Sequence, residues 1–227
     1  MARHGRSRRQ RVLRPHPALT PAQQRQLSAI RQELTRLVRY DDESVVNDAW
    51  IRQRYDGGFA ATYMPARKAA VLTAWHEAGH VVAALATGSR FSSASIRHGS
   101  SSEGRVHAIA AAGNPDAFVI HAAGQIAECL YNWSMLDDDA QLIDWLKTWR
   151  DDGGDAKHFR AAIRPRSDEL AAWRYSERLL TPLRLQIRHL ARAMLVHPRY
   201  LPYEVAKALY QDSKPASESS TTPAPAS

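Results

Sequence analysis

Residues 71–83 read Val-Leu-Thr-Ala-Trp-His-Glu-Ala-Gly-His-Val-Val-Ala, an apolar, helix-forming stretch that contains an H-E-x-x-H motif. Residues four apart on a helix lie about 40° apart around its axis, so the imidazoles of His76 and His80 can face one metal ion. Between Val71 and Gly88, Glu77 is the only charged residue besides these histidines. Burying a carboxylate in such apolar surroundings is costly, and beside the first ligand it can act as general base toward a water molecule. The motif predicts a zinc site with Glu77 as its catalytic residue.

Two histidines do not complete a catalytic zinc site, which usually has three protein ligands and one open position. A metzincin would need a third histidine at position 86, and since that residue is Ala86 this class is excluded. Two carboxylates remain as candidates. Glu128 would come from a later helix, as in thermolysin-like sites, and Asp155 follows two glycines at a predicted helix start. Scattered histidines are more often surface or hydrogen-bonded core groups than ligands. The histidines that we regard as less attractive ligands for this reason are His98, His107, His121 and His158.

Length and composition favour one globular domain with tails, or at most one domain with a small helical appendage. Hydrophobic residues make up 44% of the 227 residues, enough for a substantial core. The single cysteine, Cys129, excludes an internal disulfide and a cysteine-rich structural zinc site, and it predicts a reducing compartment. No apolar run approaches the roughly twenty residues of a membrane span, and no apolar core follows the basic N-terminus to form a secretory signal. We therefore expect a cytoplasmic protein with no membrane partner.

The net charge of +8 is concentrated at the N-terminus. Six of these charges come from arginines that precede Pro15, which leaves +2 for the rest of the chain. Such an arm can contact nucleic-acid phosphates non-specifically, but more often it is a solvated, disordered tail. We favour the tail.

Helix signals dominate the order of elements. Thr20, with Pro21 and Gln23, predicts a capping box at the start of a helix over 21–39. The motif helix is predicted from Pro65 to Thr87 and ends at Gly88, which suits a left-handed cap. Two short β-compatible runs, 91–97 and 105–110, flank glycines and serines and predict an antiparallel hairpin. Further helices are predicted at 114–133, from 137–139 to 153, and at 155–163, 179–196 and 202–210.

The expected fold class is therefore mainly α with a small β-hairpin. We divide the chain into a disordered basic arm (1–19), an N-terminal helical segment (20–63), a zinc peptidase-like domain (64–211) and a disordered Ser/Thr/Pro/Ala tail (212–227).

The stretch from Thr73 to Ala83 resembles the active-site helix of the FtsH-type AAA+ zinc proteases. In that family a short hairpin follows, and then a helix with a Gly-Gly-Arg-Ala-Ala-Glu-like stretch, to which residues 123–128 (Ala-Gly-Gln-Ile-Ala-Glu) are similar. Residues 153–162 are similar to the family's Gly-rich turn and Asn-Asp-Leu-x-x-Ala-Thr segment. The resemblance covers roughly residues 65 to 210. It implies a zincin-like helical metallopeptidase domain with Zn²⁺ held by His76, His80 and Asp155.

The chain also departs from the family pattern. Gly154 replaces the Asn before the ligand aspartate, and the Leu and Thr of that segment are lost. No Walker A motif, arginine-finger region or membrane anchor is present, so the chain resembles only the peptidase half. A separate ATPase partner would have to unfold a folded substrate. Ring assembly by relatives with ATPase domains makes a homo-oligomer a further partner prediction.

The sequence predicts a zinc-dependent metalloendopeptidase that acts on unfolded or flexible protein segments without ATP. We expect the substrate to lie extended along the hairpin edge near 91–96, as an added strand. Two alternatives stay open. One is a zinc-binding regulatory or scaffold domain without turnover, and the other is a nucleic-acid-associated protein that uses the basic arm.

Overall fold

The fold of this chain is described from a computed structural model, which covers residues 18–42, 66–96, 104–107, 109, 114–149, 154–163 and 168–213. Predictions for most of the basic arm, for residues 43–63, for the tip of the hairpin and for the C-terminal tail lie outside these residues. Within them, no helix is long and apolar enough to cross a membrane.

The architecture is mainly helical with a small antiparallel sheet, as the sequence predicts. The helices are α1 (Pro21–Arg36), α2 (Ala66–Ala86), α3 (Ala117–Asn132), α4 (Asp139–Trp149), α5 (Gly154–Ala162), α6 (Glu169–Leu180), α7 (Arg184–Val196) and α8 (Tyr203–Asp212). The strands are β1 (Ser93–Ser95), β2 (Arg105–His107) and β3 (Leu201–Pro202).

Helix α2 is the central element of the fold. Residues on all its sides are buried, among them Ala70, Val71, Ala78 and Val82, because α3 packs on one side and α7 on another. A helix that is apolar all round is stable only when it is surrounded in this way. It ends where Gly88 takes a positive φ of 73°, as predicted.

Helix α3 approaches α2 most closely at Gly79. A Cβ placed there would meet the carbonyl oxygen of Ala123 and lie 2.7 Å from the Cβ of Ala127. Glycine therefore allows the close packing of these two helices.

The first helix belongs to the same core. Its capping box is present as predicted, with Thr20 accepting from the backbone N–H of Gln23. Its buried residues Leu27, Ile30 and Leu34 belong to the same hydrophobic cluster as the buried residues of α2, and α1 packs against α7 and α8.

The hairpin prediction is confirmed in part. β1 pairs with β2 in antiparallel register, with Ala94 opposite Val106, but it also pairs with β3, with Ala94 opposite Leu201. The sheet order is β2-β1-β3, so β1 is central and has no open edge. The expectation that a substrate adds to the strand near 91–96 is therefore wrong, because both edges of that strand are already hydrogen-bonded.

The predicted late helix over 179–196 is also wrong in its start. α6 ends at Leu180, a short 3-10 turn covers Thr181–Leu183, and α7 begins at Arg184. Pro182 lies in that turn, and since proline lacks an N–H it interrupts the helical hydrogen bonding. Helix α6 itself is absent from the sequence prediction, although Asp168 caps it by accepting from the N–H of Leu170.

Candidate metal centre

Helix α2 brings the two histidines of the motif to one face. The ring centroids of His76 and His80 lie 4.8 Å apart, and His80 is buried. One turn of α-helix separates them, so the backbone alone fixes this spacing.

The third group of the cluster comes from the first turn of α5, which packs against α3. Oδ2 of Asp155 lies 3.1 Å from Nε2 of His76 and 3.2 Å from Nε2 of His80. Within the described part of the chain, these three residues form the one group of histidine, cysteine or acidic side chains whose ligand atoms converge within 4.8 Å. The structure therefore brings together the three ligands that the family resemblance implies.

The donor set suits zinc. Two imidazole nitrogens and one carboxylate oxygen are ordinary zinc ligands, with bonds of about 2.0–2.2 Å. The edges of a tetrahedron with such bonds measure about 3.3–3.6 Å, and the two distances that Asp155 makes are only slightly shorter. The residues present thus fit a tetrahedral ion with a fourth position left over.

The outer ring nitrogens of both histidines have acceptors of their own. Nδ1 of His76 lies 2.6 Å from Oε1 of Glu128, and Nδ1 of His80 lies 2.7 Å from the carbonyl oxygen of Ile120. A proton on each Nδ1 directs the lone pair of each Nε2 toward the common point. Glu128, the other carboxylate considered as a ligand, contacts His76 on the side away from that point.

Glu77 lies next to His76 in the chain and is 6% exposed. Burial raises the pKa of its carboxyl, while the nearby His80 and His76 lower it. Gly104, the residue just before β2, lies against it, since a Cβ at that position would be 2.6 Å from the Cγ of Glu77. The carboxylate that the sequence predicts as general base is thus sheltered from solvent between a helix and a strand.

Charge within the cluster is tightly balanced. Burial opposes protonation of His76, but hydrogen bonds with Asp155 and Glu128 outweigh it and raise the pKa to about 10. For His80, burial again opposes the charged form, and Asp155 raises the pKa above its ordinary value. The two imidazoles outweigh burial at Asp155 and hold its pKa well below the usual range. Such a cluster is suited to positive charge, which a metal ion supplies when it replaces the imidazole protons.

The sequence analysis did not identify Gly124 as a residue of the site. A Cβ at this position would lie 2.6 Å from Cε1 of His76, so α3 leaves room for the imidazole only because the residue is glycine. A glycine inside an apolar helix costs about 1 kcal/mol relative to alanine, and this is a signal that could have indicated a packing role. The acceptor role of the Ile120 carbonyl leaves no such signal.

Within the described part of the chain, the other histidines do not join the cluster. His121 and His158 stack on each other with ring centroids 5.2 Å apart, between α3 and α5. Burial, followed by the neighbouring His80 and His158, lowers the pKa of His121 to about 4. His107 lies in β2, and His98 is outside the described residues.

No protein-family model matches the chain, and no curated protein matches it at a significant level. The resemblance to the FtsH-type proteases therefore rests on the residues of the motif, of the 123–128 stretch and of the turn that precedes α5.

Proposed function

We propose that the protein is a zinc-dependent metalloendopeptidase with a zincin-like catalytic domain, acting on unfolded or flexible protein segments. One observation carries this proposal: Nε2 of His76, Nε2 of His80 and Oδ2 of Asp155 converge beside the buried carboxylate of Glu77. A purely structural ion needs no such carboxylate next to its first ligand.

His76, His80 and Asp155 would hold the ion. Zinc in such a site lowers the pKa of a water molecule to about 7 and polarises the carbonyl of a scissile peptide. Glu128 and the Ile120 carbonyl keep the two imidazoles in the tautomer and orientation that this requires.

Glu77 is the general base and then the general acid. Its carboxylate takes a proton from the attacking water and returns it to the nitrogen of the departing amine. Because burial raises its pKa, the protonated form is easier to reach than it would be in water. Gly104 permits β2 to cover the carboxylate, which keeps bulk solvent away from the proton transfer.

Substrate binding is now better assigned to β2 than to β1. β2 is at one edge of the sheet, with β1 on its inner side and no described strand on its outer side. It begins one residue after Gly104, where the backbone comes so close to Glu77 that a Cβ would collide with its side chain. An extended peptide added to this edge would run past the catalytic carboxylate, and backbone pairing would accept many sequences.

Casein, which is largely unfolded, is the first substrate to test, with the zinc-loaded wild type and the Glu77→Gln variant side by side. We expect cleavage by the wild type and a rate about 10²–10⁴-fold lower for Glu77→Gln, with zinc content unchanged. Zinc retained by both proteins with no cleavage of casein or of a panel of flexible peptides by either would favour the regulatory or scaffold alternative. Cleavage that appears only when an ATPase is added would identify the partner predicted from the resemblance.

A further inference from the structure

A second cavity lies apart from the metal centre, where α2, α3 and the start of α7 meet. Its volume is about 790 Å³, and none of the three predicted ligands lines it. The residues of its wall that matter here are Asp42, Trp75, Tyr131, Trp133, Arg184 and Arg188. Aromatic rings and guanidinium groups thus share one concave surface.

Arg184 lines this cavity and forms no ion pair with a carboxylate of the described residues. Its Nε donates to the carbonyl oxygen of Leu130 at 3.2 Å, and its guanidinium carbon lies 4.0 Å from the ring centroid of Trp133 and 5.6 Å from that of Trp75. Among the described residues no acidic group lies within ion-pair distance of it. Burial and then the neighbouring Arg188 lower its pKa, so the charge is held at a cost.

The buried carboxylate of Asp42 is already occupied by three donors, one of which is Arg188 of the same cavity. Asp42 is buried and accepts from Nε of Arg188 at 3.0 Å, from Nε of Arg192 at 2.7 Å and from Nε1 of Trp75 at 3.0 Å. Asp41 and Arg67 also line the cavity and add one charge of each sign. Three arginines against two aspartates leave one positive charge in excess, and the terminal nitrogens of Arg184 and Arg188 have no hydrogen-bond acceptor among the described residues.

Trp133 is held in a conformation that favours glycine. It has a φ of 53°, it is 78% exposed, and its N–H and that of Ser134 both bond the carbonyl oxygen of Cys129 at the end of α3. Glycine usually occupies this position of a helix cap, and a bulky residue there is strained. The indole thus remains in solvent at the cavity, with Arg184 stacked on it.

We propose that this cavity is a binding site for a small organic oxyanion. The carboxylate or phosphate group would be held by the terminal nitrogens of Arg184 and Arg188, and a flat apolar body would pack on Trp133 and its aromatic neighbours. Charge-assisted hydrogen bonds from arginine fit either group, and aromatic walls fit a planar ligand.

The test is calorimetric titration of the full chain, loaded with zinc and held at constant ionic strength, with benzoate, phenyl phosphate and neutral benzyl alcohol. We expect saturable binding of at least one of the two anions and none of the alcohol, and the preferred anion tells carboxylate from phosphate. Arg184→Gln should weaken that binding about tenfold or more, whereas Arg178→Gln, which removes an exposed arginine of α6, should not.

Trp133→Gly is a second variant for this test. Because glycine suits the local backbone, the variant should fold at least as well as the wild type. Its affinity for the aromatic anion should fall about threefold to tenfold. The proposal is overturned if neither anion saturates, if benzyl alcohol binds as well as the anions, or if Arg184→Gln and Arg178→Gln behave alike.

Discussion

The two ring nitrogens of His76 face different partners. Nε2 points to the place where Asp155 and His80 meet, and Nδ1 contacts Glu128. His80 repeats the arrangement with the backbone carbonyl of Ile120 in place of a carboxylate. A substitution of Glu128 can therefore remove the outer contact of His76. The outer contact of His80 cannot be removed in this way, because its acceptor is a backbone carbonyl of α3.

Glu128→Gln should weaken zinc binding about 10–100-fold without abolishing it, since the carboxylate orients His76 instead of touching the ion. Competition with a chelator of known affinity measures this change. Asp155→Ala is the matched comparison and should reduce zinc affinity far more. If Glu128→Gln loses as much affinity as Asp155→Ala, Glu128 is a ligand and our assignment of the third position is wrong.

His121 makes stability depend on pH in the metal-free protein. Its pKa is about 4 in the fold and 6.5 as the ordinary value, with His80, His158 and Asp155 as its charged neighbours. Above pH 6.5 the imidazole is neutral in both states; between 6.5 and 4 it binds a proton only after unfolding, so stability falls as the pH falls.

Urea unfolding at pH 7 and pH 5, in the presence of a chelator, measures this dependence. The change in the free energy of unfolding from pH 7 to pH 5 should be more favourable to the fold in His121→Gln than in the wild type, because His76 and His80, whose raised pKa values act in the opposite direction, contribute alike to both proteins. The same change in both proteins would mean that His121 does not contribute to the pH dependence.

At the scale of elements, the contact between α2 and α3 sets the distance between the two histidines of α2 and Asp155, because the helix that carries Asp155 packs on α3. Gly79→Ala would gain about 1 kcal/mol in helix propensity, but its methyl group would collide with the carbonyl of Ala123. We expect a net loss of about 1–3 kcal/mol in the free energy of unfolding, from chemical denaturation.

The control for this substitution is Gly154→Ala, at a helical glycine where a Cβ would have nothing within 4 Å. That variant should be as stable as the wild type or slightly more so. Equal stability for Gly79→Ala would show that the helices can separate at no cost.

Elements whose signal is local were predictable from the sequence. The capping box of α1, the end of α2 at Gly88 and the hairpin each depend on neighbouring residues alone. The pairing of β1 with β3 was not predictable, because a two-residue strand about 100 positions away carries no periodicity. For the site, the helix gave His76 and His80, whereas Asp155 reaches them only through the packing of α5 on α3.

At the scale of the whole molecule, Asp42 joins three distant parts of the chain. Its carboxylate accepts from Trp75 on α2 and from Arg188 and Arg192 on α7. Arg192 also donates to the carbonyl oxygens of Leu37 and Tyr40, just beyond α1. One buried carboxylate thus connects the end of the first helix to the two helices that form the centre of the fold.

Asp42→Ala should lower the free energy of unfolding by about 3–5 kcal/mol, because it leaves Arg192 buried without its partner. Asp212→Ala, which removes an exposed ion pair with Arg31, should cost less than about 1 kcal/mol. Urea denaturation of the two variants compares them directly. Similar losses in both would indicate that the Asp42 network adds nothing beyond a surface contact.

The packing of α1 against the C-terminal helices has a consequence for synthesis. Gln26 bonds the carbonyl of Tyr200 across 174 positions, and Arg31 pairs with Asp212 across 181. At about 5–20 residues per second, a ribosome needs about 10–35 s after making α1 to supply its partners. Leu27, Ile30 and Leu34 stay uncovered for that time. The apolar face of the first helix therefore lacks its native cover until the two C-terminal helices have been made.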